Sequence, residues 1–512
     1  MSDISANNKR IVKNTVFMYA RMLLVLCVSL YTVRVVFAAL GEVDYGINNV
    51  VGGVVSMFGF LTTTMSAASL RFFAYYIGKN DHDTLSRYFS VSFWSYMLLA
   101  VIAVILAETV GLWIVNNYLV IPEERMVAAN WVYQCVIVSF VFNIILIPYN
   151  AIILARERMD LYAYVGIVEA VLKLAIALIL SHFGSDKLIL YAVLTMMVTV
   201  SIVTFYVSYD VRHFSESRVK RLWDKVIFKD IFGFSAWSLY GSVALMLRGQ
   251  GINILLNMFF GPVVNAARAI AYQINSALLG FVNGFYQAVR PQLTKYYSSG
   301  EGGQMMSLAY RSSRLTFYLF YFFAVPLIIE IPYVLKLWIG NAPEMTIIFV
   351  RLVLINSIIE SLAMPFKGVI SSTGKIKWNE LINGTIRLLN FPLAWVFLKI
   401  GYPPEITLYI AIVSGLLCHV VRLIICSKQT SLSFKEYNKE SLRPIVMVGV
   451  LTPILPMILR YAVSNQPLQF IVVLVASVVS SCVFIWAVGV FPPERKQLIA
   501  LVKSKIQRKV NA

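Results

Sequence analysis

The amino-acid sequence predicts an all-α polytopic membrane protein of about fourteen transmembrane helices with both ends in the cytoplasm. Three observations predict it. Of the 512 residues 59% are apolar and only 13% are charged, about half the charge of a soluble domain. Apolar stretches of about twenty residues, each long enough to cross a bilayer core, follow one another from Val16 to Val490. Basic residues concentrate in alternate connecting loops, as the orientation of membrane segments requires.

The spans fall at roughly 14–40, 46–70, 88–116, 127–154, 160–181, 187–209, 231–259, 264–289, 311–338, 345–370, 378–400, 404–426, 444–462 and 468–490. Loops assigned to the inner side carry the clusters: Arg71, Lys79 and Arg87; Arg156 and Arg158; Arg212, Arg218, Lys220, Arg221, Lys225 and Lys229; Arg290, Lys295, Arg311 and Arg314; Lys375 and Lys377; Lys428, Lys435, Lys439 and Arg443. The tail adds Arg495, Lys496, Lys503, Lys505, Arg508 and Lys509. Outer loops hold at most one base each (Arg125, Lys187, Lys336, Lys399, Arg460) and several acids (Glu42, Asp44, Glu123, Glu124, Glu405). Gaining or losing one span would invert every later loop. The net charge of +19 is thereby assigned to membrane orientation rather than to nucleic acid.

The short basic start (Lys9, Arg10, Lys13) precedes an apolar run too long for a signal segment, so it reads as a retained first span. Cys27, Cys135, Cys418, Cys426 and Cys482 all lie in apolar runs, without metal-ligand spacing or paired outer positions. His82, His182, His213 and His419 are scattered. The pairs Gly78-Lys79 and Gly374-Lys375 lack the flanking residues of a phosphate-binding loop, which disfavours ATP-driven transport by this chain. No loop is large enough for a catalytic constellation, so the reading is a non-enzyme without cofactor.

Prolines stand inside several spans: Pro148, Pro326, Pro332, Pro365, Pro392, Pro453 and Pro456. Each frees a backbone carbonyl that neighbours must satisfy. Static kinks are the bland reading and hinges the sharper one. A weak internal repeat is also present. A shift of 220 positions lays Gly41 on Gly261, and Arg71 falls one residue out of register with Arg290. This suggests two pseudo-symmetric six-helix bundles plus two C-terminal helices, with ligands held between repeats. The boundaries are 1–210 for the first lobe, 211–230 for a cytoplasmic linker, 231–427 for the second lobe, 428–490 for helices 13 and 14, and 491–512 for a basic tail.

Polar residues inside spans carry the functional signal. In the eighth span Asn265, Arg268, Tyr272, Asn275, Asn283, Tyr286 and Arg290 recur at helical steps and share a face. Lipid does not tolerate such a stripe. The second span has a matching stripe of Asn49, Gly53, Ser56, Gly59, Thr63 and Ser66, readable as a cavity wall or as close packing through small residues. Under the shift Gly53, Ser56, Thr63 and Ser66 meet Gln273, Ser276, Asn283 and Tyr286.

Bases in or beside spans are Arg21, Arg34, Lys173, Arg248, Arg268, Arg351, Lys367, Arg387 and Arg422. Lys367 and Arg422 are close enough to the inner edge to snorkel, and Arg351 and Arg268 close enough to the outer one. Arg248, about 20 Å from the outer hairpin, is the deepest and a candidate cavity residue. Arg21 and Arg34 point roughly 220° apart on one helix, so one lumen cannot take both. Lys173 has Glu169 four residues before it, spacing for an ion pair. Buried arginine in excess calls for an anionic ligand, and its fork suits phosphate.

The runs R-I-V-K-N-T-V-F-M-Y-A-R-M-L-L (10–24), Y-T-V-R-V-V (31–36), L-G-E-V-D-Y-G-I-N-N-V-V-G-G (40–53) and S-A-A-S-L-R-F-F (66–73) resemble polysaccharide flippases of the Wzx type, in the multidrug/oligosaccharidyl-lipid/polysaccharide exporter superfamily. The resemblance rests on these N-terminal motifs and, beyond them, on span count and layout. It implies a MATE-like two-lobed fold around a cationic lumen. It further implies export of undecaprenyl-diphosphate-linked oligosaccharide across the bacterial cytoplasmic membrane, for O-antigen, lipopolysaccharide, capsule or exopolysaccharide synthesis. Polymerase and glycosyltransferase partners are expected on the same ground, with no nucleic acid. Related lipid II flippases use arginines on their first and eighth helices. The site set is then Arg21, Arg34, Arg248, Arg268, Tyr272, Gln273, Asn275 and Asn283, with Glu169 and Glu360 as candidates for coupling to an ion gradient. Alternatives are a multidrug or organic-cation antiporter of the same fold and a membrane glycan polymerase.

Overall fold

The computed structural model describes the backbone of residues 2–59, 69–70, 72–73, 75–77, 79–156, 158–180 and 186–496, and the side chains within these except 2–22, 159, 162, 231–240, 287–288 and 291. The Arg21 side chain, Thr63, Ser66, Arg71, His182, Lys503, Lys505, Arg508 and Lys509 lie outside the described residues.

The described chain is helical and contains no strand. Among the described residues twelve helices are long and apolar enough to cross a membrane, and the protein is a multi-pass membrane protein. The elements are α1 (Ser2–Ser56), α2 (His82–Asn117), α3 (Glu123–Ala155), α4 (Met159–Leu180), α5 (Lys187–His213), α6 (Lys225–Met246), α7 (Ile252–Phe260), α8 (Pro262–Ser298), α9 (Gly302–Trp338), α10 (Met345–Thr373), α11 (Lys377–Lys399), α12 (Ile406–Gln429), α13 (Phe434–Ala462) and α14 (Gln466–Gly489). Twelve rather than fourteen are counted for two reasons. The first two spans run together as one helix broken only at Gly41. The eighth span, α8, is 37 residues long but its polar stripe holds it below the apolarity of the others.

Packing divides the chain into two units. The first comprises Met1–Gln273, Ala342–Thr346 and Glu380–Ile410. Within it α3 lies along α5, and α1 along α4 and α3. The second arm of α1 supplies Ile47, Val50, Val51, Val54 and Val55 to a core shared with Ala128, Ala129, Val132 and Tyr133 of α3. β-Branched residues at helical spacing give this contact face stiff side chains. Two glycines allow the closest approaches. A Cβ at Gly46 would collide with the Pro262 carbonyl, and one at Gly111 with the Tyr133 hydroxyl. At one end of the unit Arg125 grips Asp44 at 2.5 and 2.8 Å and Asp186 at 2.7 and 3.0 Å. This ties the first turn of α3 to the second arm of α1 and to the cap of α5.

The second unit comprises Ile274–Asn341, Ile347–Asn379 and Ala411–Ala512. Its prolines show what happens to the carbonyls they free. Pro332 releases that of Ile328, which accepts from Arg351 Nε at 3.1 Å. Pro365 releases that of Ser361, which accepts from Thr316 Oγ1 at 3.0 Å. Pro453 releases that of Gly449, met by the Tyr321 hydroxyl at 2.6 Å. Pro456 releases that of Thr452, met by Ser480 Oγ at 2.8 Å. Each donor comes from a neighbouring helix, so these four prolines make kinks that are bolted rather than free. Glu330, between Pro326 and Pro332, leaves helical geometry (φ −105°, ψ 19°) and pairs with Arg460 at 3.2 Å.

Candidate functional site: a polar cavity in the first unit

Two glycine corners precede the helical segments that carry the site, 48–56 and 268–272. Gly41 has φ 77° and ψ 178°, Gly261 φ 78° and ψ −176°. That region is open to glycine almost alone. The residues that the 220-position shift superposes therefore share one rare backbone shape, the strongest structural mark of the repeat. Neither corner has a neighbour that excludes a side chain: a Cβ on Gly41 meets nothing within 4 Å, and one on Gly261 only Val120 Cγ1 at 3.9 Å. The demand for glycine is one of backbone conformation.

Between α6 and α7, Leu247–Gly251 forms a π turn. Such turns offset the carbonyl ladder and often mark functional positions. Here the Gly249 carbonyl accepts a hydrogen bond from Arg268 Nη2 at 3.1 Å. The guanidinium of Arg268 lies 4.5 Å from the centre of the Tyr272 ring, one helical turn further along α8. The residue is only 6% exposed. An arginine on a membrane helix needs such partners, because its charge is costly unless shared with carbonyls, π faces or water.

A chain of amides adjoins it. Asn253 Nδ2 donates to Asn49 Oδ1 at 3.0 Å, and Asn265 Nδ2 donates to the Asn253 carbonyl at 2.7 Å and to Asn253 Oδ1 at 2.8 Å. Asn265 Oδ1 is buried without a hydrogen-bond partner. Around these groups lies a cavity of about 410 Å³. The second arm of α1 contributes Asn48, Asn49, Gly52, Gly53 and Ser56; the π turn and α7 contribute Gly249, Gln250 and Asn253; α8 contributes Arg268, Ala269 and Tyr272. Among the described residues its wall holds one guanidinium, four side-chain amides, two hydroxyls and no carboxylate. Gly53 keeps the wall thin: a Cβ there would approach Gln250 Oε1 to 2.6 Å and Asn253 Nδ2 to 3.2 Å. Chemically, the cavity offers a dense set of neutral donors and acceptors beside one fixed positive charge.

The sequence-derived residues separate on this frame. Arg268 and Tyr272 line the cavity, together with Asn49, Gly53 and Ser56 of the second-span stripe. Arg268 does not reach outward as its position allowed, since the π turn gives it an acceptor nearby. Gln273 turns to Ser29 Oγ, 2.9 Å away on α1. Arg248 is half-buried within the π turn and is not part of the cavity wall. Arg34 lines another cleft with Tyr31 and Lys187. In the second unit, Asn275 is buried with Oδ1 unpartnered, Asn283 is exposed, and Glu360 is half-buried on α10. Glu169 pairs with Lys173 at 2.6 Å. Lys367 is exposed, in keeping with snorkelling. Arg422 is buried instead, because the start of α13 folds over this face and sets the Tyr437 hydroxyl 2.8 Å from His419 Nε2. Sequence reasoning missed Asn48, Gln250 and Asn253. The run L-R-G-Q-G-I-N (247–253) held the signal, two glycines around an amide inside an apolar span.

The fold is that of the transporters of the multidrug/oligosaccharidyl-lipid/polysaccharide (MOP) superfamily. An inward-facing MATE-family multidrug resistance transporter of that superfamily aligns with TM-score 0.66 at 13% identity, over 79% of this chain and 94% of that one. The lipid II flippase MurJ, in an inward closed conformation, aligns with TM-score 0.63 at 13% identity, over 92% of this chain and 98% of that one. A MOP-superfamily transporter from Pyrococcus furiosus, described as having a binding pocket of reverse polarity, aligns with TM-score 0.55 at 13% identity, over 82% and 96%. At such identities the likeness concerns the fold. No protein-family model matches the chain. In sequence it is similar to the uncharacterized membrane protein EpsK of Bacillus subtilis (strain 168), 20% identical over 295 residues. That match spans 57% of this chain and 58% of the relative's length.

Proposed function

We propose that the protein is a flippase that carries undecaprenyl-diphosphate-linked oligosaccharide across the bacterial cytoplasmic membrane for surface polysaccharide synthesis, with both termini in the cytoplasm. The observation that carries this reading is the makeup of the Arg268 cavity. Amides and hydroxyls suit the hydroxyl groups of a glycan, and a buried guanidinium suits a diphosphate. The N-terminal motifs and the fold shared with a lipid II flippase support the same reading. Transport proceeds by alternating access of two lobes, 1–210 and 231–427, which present the polar walls of the second and eighth spans to the substrate. An ion gradient or the flux of substrate drives the cycle, with Glu169 and Glu360 as coupling candidates and no bound cofactor. A polymerase and glycosyltransferases act before and after it.

The competing reading, export of organic cations, asks for a carboxylate where the ligand binds. Among the described residues the cavity wall has none, and Arg268 would repel such a ligand. The two readings part in a deletion strain whose lipid-linked glycan pool and surface polysaccharide are measured after complementation. Accumulated intermediate, rescue by wild type and failure of a normally expressed Arg268→Ala support both the flippase and its site. Full rescue by Arg268→Ala removes the site assignment. An unchanged pool and surface on deletion, with no substitute flippase in the strain, would falsify the flippase reading.

A further inference from the structure

We propose that the linker between α5 and α6 is a surface for anionic phospholipid, holding the headgroups of lipids that pack against α2. It concerns the outer side of the first unit and does not rest on the proposed transport activity. Depth comes first. The α2 helix is 36 residues long, about 54 Å at 1.5 Å per residue, against about 30 Å of hydrocarbon. Trp94 and Trp113 are both exposed and stand about 28 Å apart along it, the separation of the two aromatic belts of a bilayer. The turns before Trp94 therefore stand at headgroup level. Trp94, Leu98, Val101 and Ile105 are exposed on one face of the helix, within about 60° of one another. Arg87 falls on that same face two turns before Trp94, its side chain 53% exposed. Along this one face the helix meets lipid tails on one side of Trp94 and headgroups on the other.

The linker is fastened to the headgroup end of that face. The Lys220 N–H donates to Ser90 Oγ at 3.0 Å, the Lys220 carbonyl accepts from Trp94 Nε1 at 3.0 Å, and Asp224 accepts from Arg87 at 2.9 Å. Val219 and Leu222 turn inward onto the core that holds Phe89 and Tyr149. Arg221, Trp223, Lys225 and Val226 are left exposed, and Phe228 steadies the Trp223 ring at 5.0 Å. The bases at 212, 218, 220, 221, 225 and 229 are all exposed. The acids of the same stretch are engaged. Glu216 is buried against Arg156, Asp224 also accepts from the N–H groups of Val226 and Ile227, and Asp230 accepts from the Tyr88 hydroxyl at 3.3 Å. What faces outward is a positive excess with an indole set between two of its bases. Bases at this level attract anionic headgroups, and an indole sits well where headgroup gives way to chain. An acidic protein would match the charge but would leave Trp223 and Val226 unexplained.

The test uses the full chain in phosphatidylcholine vesicles with a minor share of brominated lipid, either phosphatidylglycerol or phosphatidylcholine, the bromines high on the acyl chains. The difference in tryptophan fluorescence between wild type and Trp223→Phe isolates quenching at the linker. The expected association of phosphatidylglycerol beside Trp223 is about fivefold or more above that of phosphatidylcholine, a factor that a single base supplies at an anionic surface. The preference disappears in the triple variant Lys220→Gln, Arg221→Gln, Lys225→Gln and is kept in the double variant Lys220→Arg, Lys225→Arg. It also survives the loss of three exposed bases of the second unit, in Lys375→Gln, Lys428→Gln, Lys435→Gln. Equal quenching by the two lipids overturns the proposal. So does an equal loss of preference in the two glutamine triples, which assigns it to net charge. Absence of Trp223 quenching by either lipid overturns it as well and turns the surface over to an acidic protein partner.

Discussion

The bolted prolines give a prediction in which the perturbation and its reversal are both built into the chain. Tyr321→Phe removes the hydroxyl that donates to the Gly449 carbonyl at 2.6 Å. Pro453 has no N–H, so that carbonyl then has no donor in its own helix. A buried acceptor left without a partner costs about 1–3 kcal/mol. Side-chain hydrogen bonds inside membrane proteins have coupling energies averaging about 0.6 and reaching about 1.7 kcal/mol, so a loss of about 1 kcal/mol is expected. The ring of Tyr321 is retained in phenylalanine, and with it the stack on Phe317 at 4.9 Å. Pro453→Ala supplies the missing N–H. Thr452 and Pro453 already have helical dihedrals (φ −59°, ψ −43° and φ −78°, ψ −12°), so the alanine amide falls near the Gly449 carbonyl. In that background Tyr321→Phe is expected to cost only a few tenths of a kcal/mol. A double-mutant cycle on the four purified proteins, by reversible unfolding in mixed micelles, reads the coupling directly. A coupling near zero would show that the kink is held by packing and that the hydroxyl is incidental.

Three further expectations follow from glycine geometry and from one cap. Gly41→Ala and Gly261→Ala are each expected to destabilise by about 1–3 kcal/mol through backbone strain alone, and by equal amounts, whereas Gly52→Ala, in a regular turn with nothing within 4 Å of its Cβ, gains about 0.5–1 kcal/mol; thermal unfolding of the three variants checks the contrast. Gly46→Ala is expected to abolish folded, monodisperse protein in size-exclusion chromatography, because the Pro262 carbonyl that the new Cβ would strike is backbone and cannot rotate away. Asp224 caps α6 and pairs with Arg87 at 2.9 Å. The Val226 N–H does most to hold its carboxyl below its ordinary 3.8; burial opposes it, and the Ile227 N–H and the Arg87 charge add to the lowering. With the folded value depressed, its contribution is complete above pH of about 4 and is lost as pH falls through the folded value. Acid unfolding curves should therefore show wild type losing its advantage over Asp224→Asn, which keeps the cap but not the charge, only below that pH.

The fold and the site differ in how much of each the sequence reveals, and the cause is the same residues. Spans are legible because lipid imposes a length and an apolarity on every crossing helix. Alternating charge then orders them. The corner glycines were legible through the repeat, since a backbone shape that only glycine tolerates leaves no choice of residue. Arg248 shows the limit. A π turn adds a residue to the helical ring, rotates the register, and puts the Gly249 carbonyl rather than the Arg248 side chain on the cavity side. No periodicity of 3.6 foresees that rotation, and for the same reason Gln250 and Asn253 escaped. The α8 helix presents the converse. Asn265, Arg268, Tyr272 and Gln273 lower its apolarity until it drops out of a count of membrane-crossing helices. Those are also residues it needs if it is to face a cavity or a neighbouring helix instead of lipid. In a chain otherwise so apolar, the helix that looks least like a membrane span is the one whose side chains have work other than meeting the bilayer.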